Sequence, residues 1–378
     1  MNTHRVLLLH DDLLLLNLYR EKLEASGFAV DATCELERVP NIVAARVPDV
    51  VLLDLVLRRG SALDFIKSWR RNPATGGVQI LILPTALSDI ASEAVQAGAR
   101  QVIEPGANPI ASIISAVKMG VGMPGLGDAA AMDLFKPEGS WADAILSGTA
   151  EHINHMRHCI PGISGASPEP AALRELWALV HGFAEKARFL PSAMLAQFGE
   201  VFDYLLHDLN EAPGLLNPST LRTVGQAIDF LGTIANAPAL KRLGDPASAR
   251  VLAVDDEPTA LLVISAALQL GGLTCETANS AANGLEKAGE AHWDLIFLDI
   301  GLPQVDGFEL CTKLRAMENI KATPLVFITG LATFQNKAKA CLSGGNDFVA
   351  KPFNLPELAV KALTWVYRGT GRGDLPAC

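Results

Sequence analysis

The chain repeats itself. VLLLHDD (6–12) matches VLAVDDE (251–257), and DVVLLDLVLRRGSALDFI (49–66) matches DLIFLDIGLPQVDGFEL (294–310). ILILPTA (80–86) matches PLVFITG (324–330), and ARQVIEPGAN (99–108) matches NDFVAKPFN (346–354). Pairing acid with acid sets Asp12 against Asp256, and the segments set Asp54 on Asp299, Thr85 on Thr329 and Glu104 on Lys351, with offsets of 244 to 247. A near-constant offset over four segments marks one domain used twice, and it constrains the fold before any local propensity does. The 378 residues then hold a copy at each end and something different between them.

Each copy alternates strand and helix. The apolar runs 50–53, 79–83, 295–298 and 324–328 show little polar alternation, as strands covered on both faces do. Helical patterns of 10–15 residues separate them, the signature of βαβ units in a parallel sheet. About 120 residues per copy suits a doubly wound, flavodoxin-like (βα)5 domain, whose ligands bind beyond the carboxyl ends of the strands. Acids stand there: Asp11, Asp12 and Asp54 in the first copy, Asp255, Asp256 and Asp299 in the second.

The middle has another composition. GVGMPGLG (120–127) and APALKRLGDPASA (237–249) read as linkers. Between them lie four one-faced helical patterns and no strand-like run, for which an up-down bundle is the default. The expected organisation is residues 1–122, an all-α four-helix bundle-like domain over 130–240, and residues 249–370.

Charge and cysteine narrow the function. Lys and Arg number 31 against 41 Asp and Glu, a net charge of −10, so an electrostatic grip on nucleic acid is not expected. Six cysteines without a CxxC pair fit free thiols in a reducing compartment. The apolar run before Asp11 is too short for a signal-peptide core. Pro258–Cys275 is an uncharged stretch of 18 residues, close to a membrane span, but its Pro, Thr, Ser, Gln and Gly residues favour an interior helix buried on both faces. A cytoplasmic protein without membrane insertion is expected.

In the second copy three carboxylates converge if the fold is right, and three acids in one pocket stay ionised only with a cation. Mg²⁺ suits an all-oxygen site that also meets phosphate. Thr329 and Lys351 close two further strands with a hydroxyl and an amine. Together these groups form a phosphoryl-binding site with Asp299 as nucleophile.

With these residues in place, 249–370 resembles a receiver domain of two-component response regulators. The resemblance rests on the acid pair Asp255 and Asp256, Asp299 in LDIGLPQVDG, Thr329 in FITG, and Lys351-Pro352 in AKPF. It implies phosphorylation on Asp299. It also implies Mg²⁺ held by Asp256, Asp299 and the Gly301 carbonyl, with Asp255 acting through water. Lys351 and Thr329 would contact the phosphoryl group, and Phe348 would be an aromatic switch. The first copy resembles a degenerate receiver: Asp11, Asp12, Asp54 and Thr85 are present, but Glu104 replaces the lysine and Gln101 the aromatic residue. Exchanging that attraction for repulsion at about 4 Å shifts a phosphorylated state by several kcal/mol at an effective dielectric near 20. Asp54 is therefore expected to be phosphorylated poorly.

The middle resembles a histidine phosphotransfer domain in the rhythm of 176–209. His181 takes the place of the phosphorylated histidine, at the solvent edge of its stripe, with Ala184 and Glu185 where that family has lysine and glycine. His152, His155 and His158 lie on the first bundle helix without a standard metal-ligand partner set, and read as helix-surface residues, as does His207. The leucine-rich helices after Asp12 and Glu257 are expected to bind a helical partner, either the middle segment or a kinase.

The expected protein is a non-enzymatic signalling regulator. It takes a phosphoryl group on Asp299 from a histidine kinase or phosphotransfer protein, and signals to a downstream protein target through contacts. A phosphorelay through His181 and a non-catalytic scaffold are the alternatives, and a homodimer is left open.

Overall fold

The computed structural model describes residues 3–57, 60–84, 88–104, 109–126, 139–165, 168–190, 192–234, 246–330 and 342–370. They fall into two compact units: Met1–Gly148 with His181–Leu190, and Thr149–Val180 with Pro191–Cys378.

The first unit carries β1 (Arg5–Leu9), α1 (Leu13–Ala25), β2 (Ala29–Thr33), α2 (Val39–Ala45), β3 (Val50–Leu53), α3 (Ala62–Arg71), β4 (Gln79–Ile82), α4 (Ser88–Ala97), β5 (Gln101–Val102) and α5 (Pro109–Gly120). Its sheet is parallel throughout, in the order β2-β1-β3-β4-β5. Strands β1 and β3 bury nearly every side chain because helices cover both faces, which is why their sequences run apolar without alternation. Asp12 starts α1 by accepting the amides of Leu14 and Leu15 at 3.0 and 3.1 Å.

Four helices follow: α6 (Gly139–Ile163), α7 (Pro170–Ala187), α8 (Ala193–Glu211) and α9 (Pro218–Ile234). The four helical patterns of the sequence are therefore real helices. They do not close off a unit of their own, since the residues from His181 to Leu190 group with the first copy. Phe198, Phe202 and Phe230 form an aromatic centre in the second unit. His207, expected on the surface, is instead buried with its ring 5.3 Å from that of Trp177, whose indole donates to Asp203 at 3.0 Å.

The second unit repeats the α/β pattern with β6 (Arg250–Val254), α10 (Pro258–Leu270), β7 (Thr274–Ala278), α11 (Ala281–Glu290), β8 (Leu295–Asp299), α12 (Gly307–Arg315), β9 (Leu325–Thr329), β10 (Asp347–Ala350) and α13 (Leu355–Thr370). Its parallel order, β10-β9-β8-β6-β7, is that of the first sheet read from the other edge. The likeness extends to single side chains. Arg70 donates to the carbonyls of Gly76, Val78 and Gly98, and Arg315 to those of Ile320, Thr323 and Gly344.

The uncharged stretch after Pro258 is not buried on both faces. Leu261, Ile264, Ala267 and Leu268 of α10 face inward, whereas Leu262 is 70% exposed. Among the described residues no helix is long and apolar enough to cross a membrane. The carboxyl end of α10 meets α8, where the Gln197 amide donates to the Leu270 carbonyl at 2.9 Å. In the first unit Tyr19 of α1 packs edge-on against Phe189, with centroids 6.2 Å apart.

Candidate functional site

Parallel strands end together, so the residues just past β6, β8 and β10 share one mouth of the second sheet. The register pairs Val254 with Leu298 and Asp299 with Ile328, which brings Asp255 and Asp299 to one level. Lys351 follows β10 and lies between them, its Nζ 2.8 Å from both Asp255 Oδ2 and Asp299 Oδ1. Asp255 and Asp299 are buried, and Asp256 is exposed at the rim. Oxygens of these three acids lie within 4.8 Å of one another, an arrangement open to a divalent cation.

Local chain chemistry holds the acids. Asp255 Oδ1 accepts the Glu257 amide at 2.9 Å, and Asp299 Oδ2 accepts the Gly301 amide at 2.6 Å. Burial pushes the Asp299 carboxyl upward, against the opposing pull of Lys351, and the net shift is upward. Burial also lowers Lys351, but its two carboxylate partners outweigh this and raise it. Glycine is required at 307, where a Cβ would overlap the Asp299 carbonyl oxygen and stand 2.8 Å from Ile300 Cα. Thr329 ends β9 buried beside Ala350, and its carbonyl accepts the Lys351 amide at 2.7 Å. Phe348 is buried in the core, with the Arg222 guanidinium 5.3 Å from its ring centre.

The corresponding mouth of the first sheet is different. β1 ends at Leu9, which pairs with Leu53, as Val254 pairs with Leu298. His10 therefore stands where Asp255 stands, Asp11 where Asp256 stands, and Asp12 where Glu257 stands. The expected acid pair Asp11–Asp12 is corrected to His10–Asp11, and Asp12 is the helix cap. Thr85 lies outside the described residues; the pairing of Leu53 with Ile82, against Leu298 with Phe327, brings Pro84 to the level of Thr329. Glu104 is exposed.

His181 was expected at a solvent edge. It is 3% exposed, because the carboxyl-terminal half of α7 lies over this mouth. His181 Nε2 is 3.5 Å from Asp54 Oδ1 and 3.9 Å from Glu185 Oε2. Glu185 Oε2 is in turn 3.0 Å from His10 Nε2. Lys186 Nζ donates to Asp12 Oδ2 at 2.7 Å, and Arg188 to the Pro84 carbonyl at 3.1 Å. The periodicity of α7 could not show this, because the surface it meets is more than a hundred residues away in the chain. Burial opposes a charge on His10, yet Glu185 and Asp54 push its pKa up to about 9. The Asp12 amide works the other way. It donates to His10 Nδ1 at 3.0 Å and so favours a neutral ring with its proton on Nε2. Burial raises Asp54, but His10 and His181 hold its net shift downward.

The remaining histidines do not form a ligand set. His152 Nε2 contacts the Leu179 carbonyl at 2.5 Å, His158 Nδ1 the Asn154 carbonyl at 2.6 Å, and His155 is exposed.

An open, doubly wound α/β domain with acids and a lysine at the carboxyl edge of its sheet defines the class. The chain belongs to the response regulator receiver domain family, whose model matches residues 6–110 and 251–363. It is 34% identical over 112 residues to the DNA-binding dual master transcriptional regulator RpaA of Synechocystis, covering 30% of this chain and 46% of that protein. It is 32% identical over 120 residues to the transcriptional regulatory protein CusR of Escherichia coli, covering 32% and 52%. The chain thus spans about half the length of these curated relatives. Solved structures include the chemotaxis response regulator CheY4 of Vibrio cholerae, at 35% identity and TM-score 0.30, covering 31% of this chain and 98% of that one. Another is the receiver domain of the sensor histidine kinase PA1611 of Pseudomonas aeruginosa, described with magnesium in its active-site cleft, at 29% identity and TM-score 0.30, covering 31% and 97%. Receiver domains typically bind Mg²⁺ and interact with histidine kinases or other phosphodonors.

Proposed function

We propose that the second receiver is the working phosphoacceptor, with Asp299 as the nucleophile. The observation that carries this reading is the three-way contact of Lys351 with Asp255 and Asp299, 2.8 Å each. It keeps a cation beside a buried carboxylate at the mouth where a phosphodonor can approach. A carboxylate oxygen of Asp299 attacks the phosphorus of a phosphohistidine, the O–P bond forms, and the N–P bond breaks with its electron pair returning to the imidazole. Lys351 and the hydroxyl of Thr329 would then face the phosphoryl oxygens. Mg²⁺ fits the three clustered acids: Asp256, Asp299 and the Gly301 carbonyl would hold it, with Asp255 through water, and it would neutralise charge developing on the phosphoryl group. The chain acts as a cytoplasmic signalling component, not a turnover enzyme, and its output passes through protein contacts without nucleic acid.

Intact mass after incubation with acetyl phosphate and Mg²⁺ tests this on the wild type and Asp299→Ala. One added phosphate that vanishes in the variant is expected; a phosphate that survives moves the chemistry elsewhere. A relay through His181 is the weaker reading, because His181 is buried against Asp54 and Glu185. A His181→Gln variant that loses transfer from a phosphohistidine donor would restore it.

A further inference from the structure

The covered mouth of the first receiver has its own chemistry. The clustered possible ligands of the second receiver are carboxylate oxygens, whereas here His10 replaces the first acid and α7 adds Glu185 and His181. Atoms of His10, Asp54 and Glu185 lie within 4.8 Å of one another, and all three residues are buried. His10 Nε2 and Glu185 Oε2 are 3.0 Å apart in a buried ion-pair contact that is poorly aligned for a hydrogen bond.

We propose that His10, Asp54 and Glu185, with His181 alongside, form a buried site for a divalent transition cation of the zinc class. This goes beyond the phosphoacceptor reading and does not depend on it. Mixed imidazole and carboxylate ligands select such a cation over Mg²⁺. Ligand atoms about 2.0–2.1 Å from a tetrahedral Zn²⁺ stand about 3.3 Å apart. The separations here are 3.0 Å (His10–Glu185), 3.5 Å (His181–Asp54) and 3.9 Å (His181–Glu185).

Two carboxylates, Asp54 and Glu185, are buried here beside the imidazoles of His10 and His181, and Lys186 in this corner is engaged by Asp12. One divalent cation neutralises Asp54 and Glu185 together. To ligate through Nε2, a neutral His10 moves its ring proton to Nδ1. That atom gives up the Asp12 amide and faces Asp54 Oδ2 at 3.8 Å, so Asp54 orients the ring.

The test uses the full chain, stripped with a chelator and titrated with Zn²⁺, and separately with Co²⁺, in excess Mg²⁺. A single equivalent of each is expected, with a four-coordinate Co²⁺ absorption band. Glu185→Gln and His10→Asn should each weaken it by roughly 100-fold or more, while Asp299→Ala and the double variant His155→Gln/His158→Gln leave it intact. X-ray absorption at the zinc edge of the wild type should show imidazole nitrogen, and needs no variant to fold. No binding in Mg²⁺, an all-oxygen or sulfur shell, binding indifferent to both pocket variants, or loss in the surface double variant would each overturn the proposal.

Discussion

At the scale of single residues, Lys351 and Gly307 carry the sharpest expectations. Lys351 makes two charge-assisted hydrogen bonds, each in the range of about 1.5–3 kcal/mol. Lys351→Ala should slow phosphorylation of Asp299 by acetyl phosphate by roughly 10- to 100-fold while leaving the fold intact, as followed by mass against time. Gly307→Ala acts on the fold instead. Its methyl group would collide with backbone on the neighbouring turn, so a loss of about 1–3 kcal/mol in urea unfolding is expected. These residues were legible because the second copy has every acid, the glycine and the lysine at strand ends that its hydrophobic pattern locates. His10 was not. Matching acid to acid set Asp12 opposite Asp256, one residue out of register, and a strand end read from hydrophobicity is uncertain by more than that. VLLLHDD laid on VLAVDDE position by position does set His10 on Asp255, and the pairing of Leu9 with Leu53 fixes that register.

At the scale of elements, α9 and α13 lock together within the second unit. Lys361 Nζ and Trp365 Nε1 both donate to Asp347 Oδ2 at 3.0 Å, and Arg222 Nε is 2.9 Å from the other oxygen. Asp347→Ala leaves a fully buried ammonium without its counter-charge and should cost about 3–5 kcal/mol, measured by denaturant unfolding. The double variant Asp347→Leu/Lys361→Met should lose less than the single one, since no buried charge is then orphaned.

Beside this pair Glu357 accepts hydroxyls from Ser219 at 2.9 Å and Thr220 at 3.0 Å. Burial raises its pKa above the ordinary 4.5, with the hydroxyls and Lys361 opposing. The folded state thus binds this proton more tightly than the unfolded chain does. The resulting stabilisation is complete below the unfolded value and is lost as pH rises through the folded one. Unfolding midpoints should therefore fall with pH over that window in the wild type and less steeply in Glu357→Gln. The helices themselves were legible from periodicity, but this lock was not. Ser219, Thr220 and Glu357 look like ordinary cap and surface residues until α9 is placed on α13.

At the scale of the whole molecule, one strand order carries two differently furnished mouths. The repeat in the sequence predicted two parallel sheets of one strand order, and both sheets have it. It also predicted a weak acceptor in the first copy, from Glu104 and Gln101, and Glu104 is exposed. The stronger obstacles are His10 in the place of an acid, and Glu185 and His181 covering Asp54. Restoring the family pattern in sequence alone, by His10→Asp with Glu104→Lys, should therefore leave acetyl phosphate incorporation near one per chain. Adding His181→Ala and Glu185→Ala removes the cover and should raise it toward two, with the new phosphate mapping to Asp54. Two phosphates in the first double variant would mean that the missing acid and lysine, not the helix over the pocket, keep Asp54 silent.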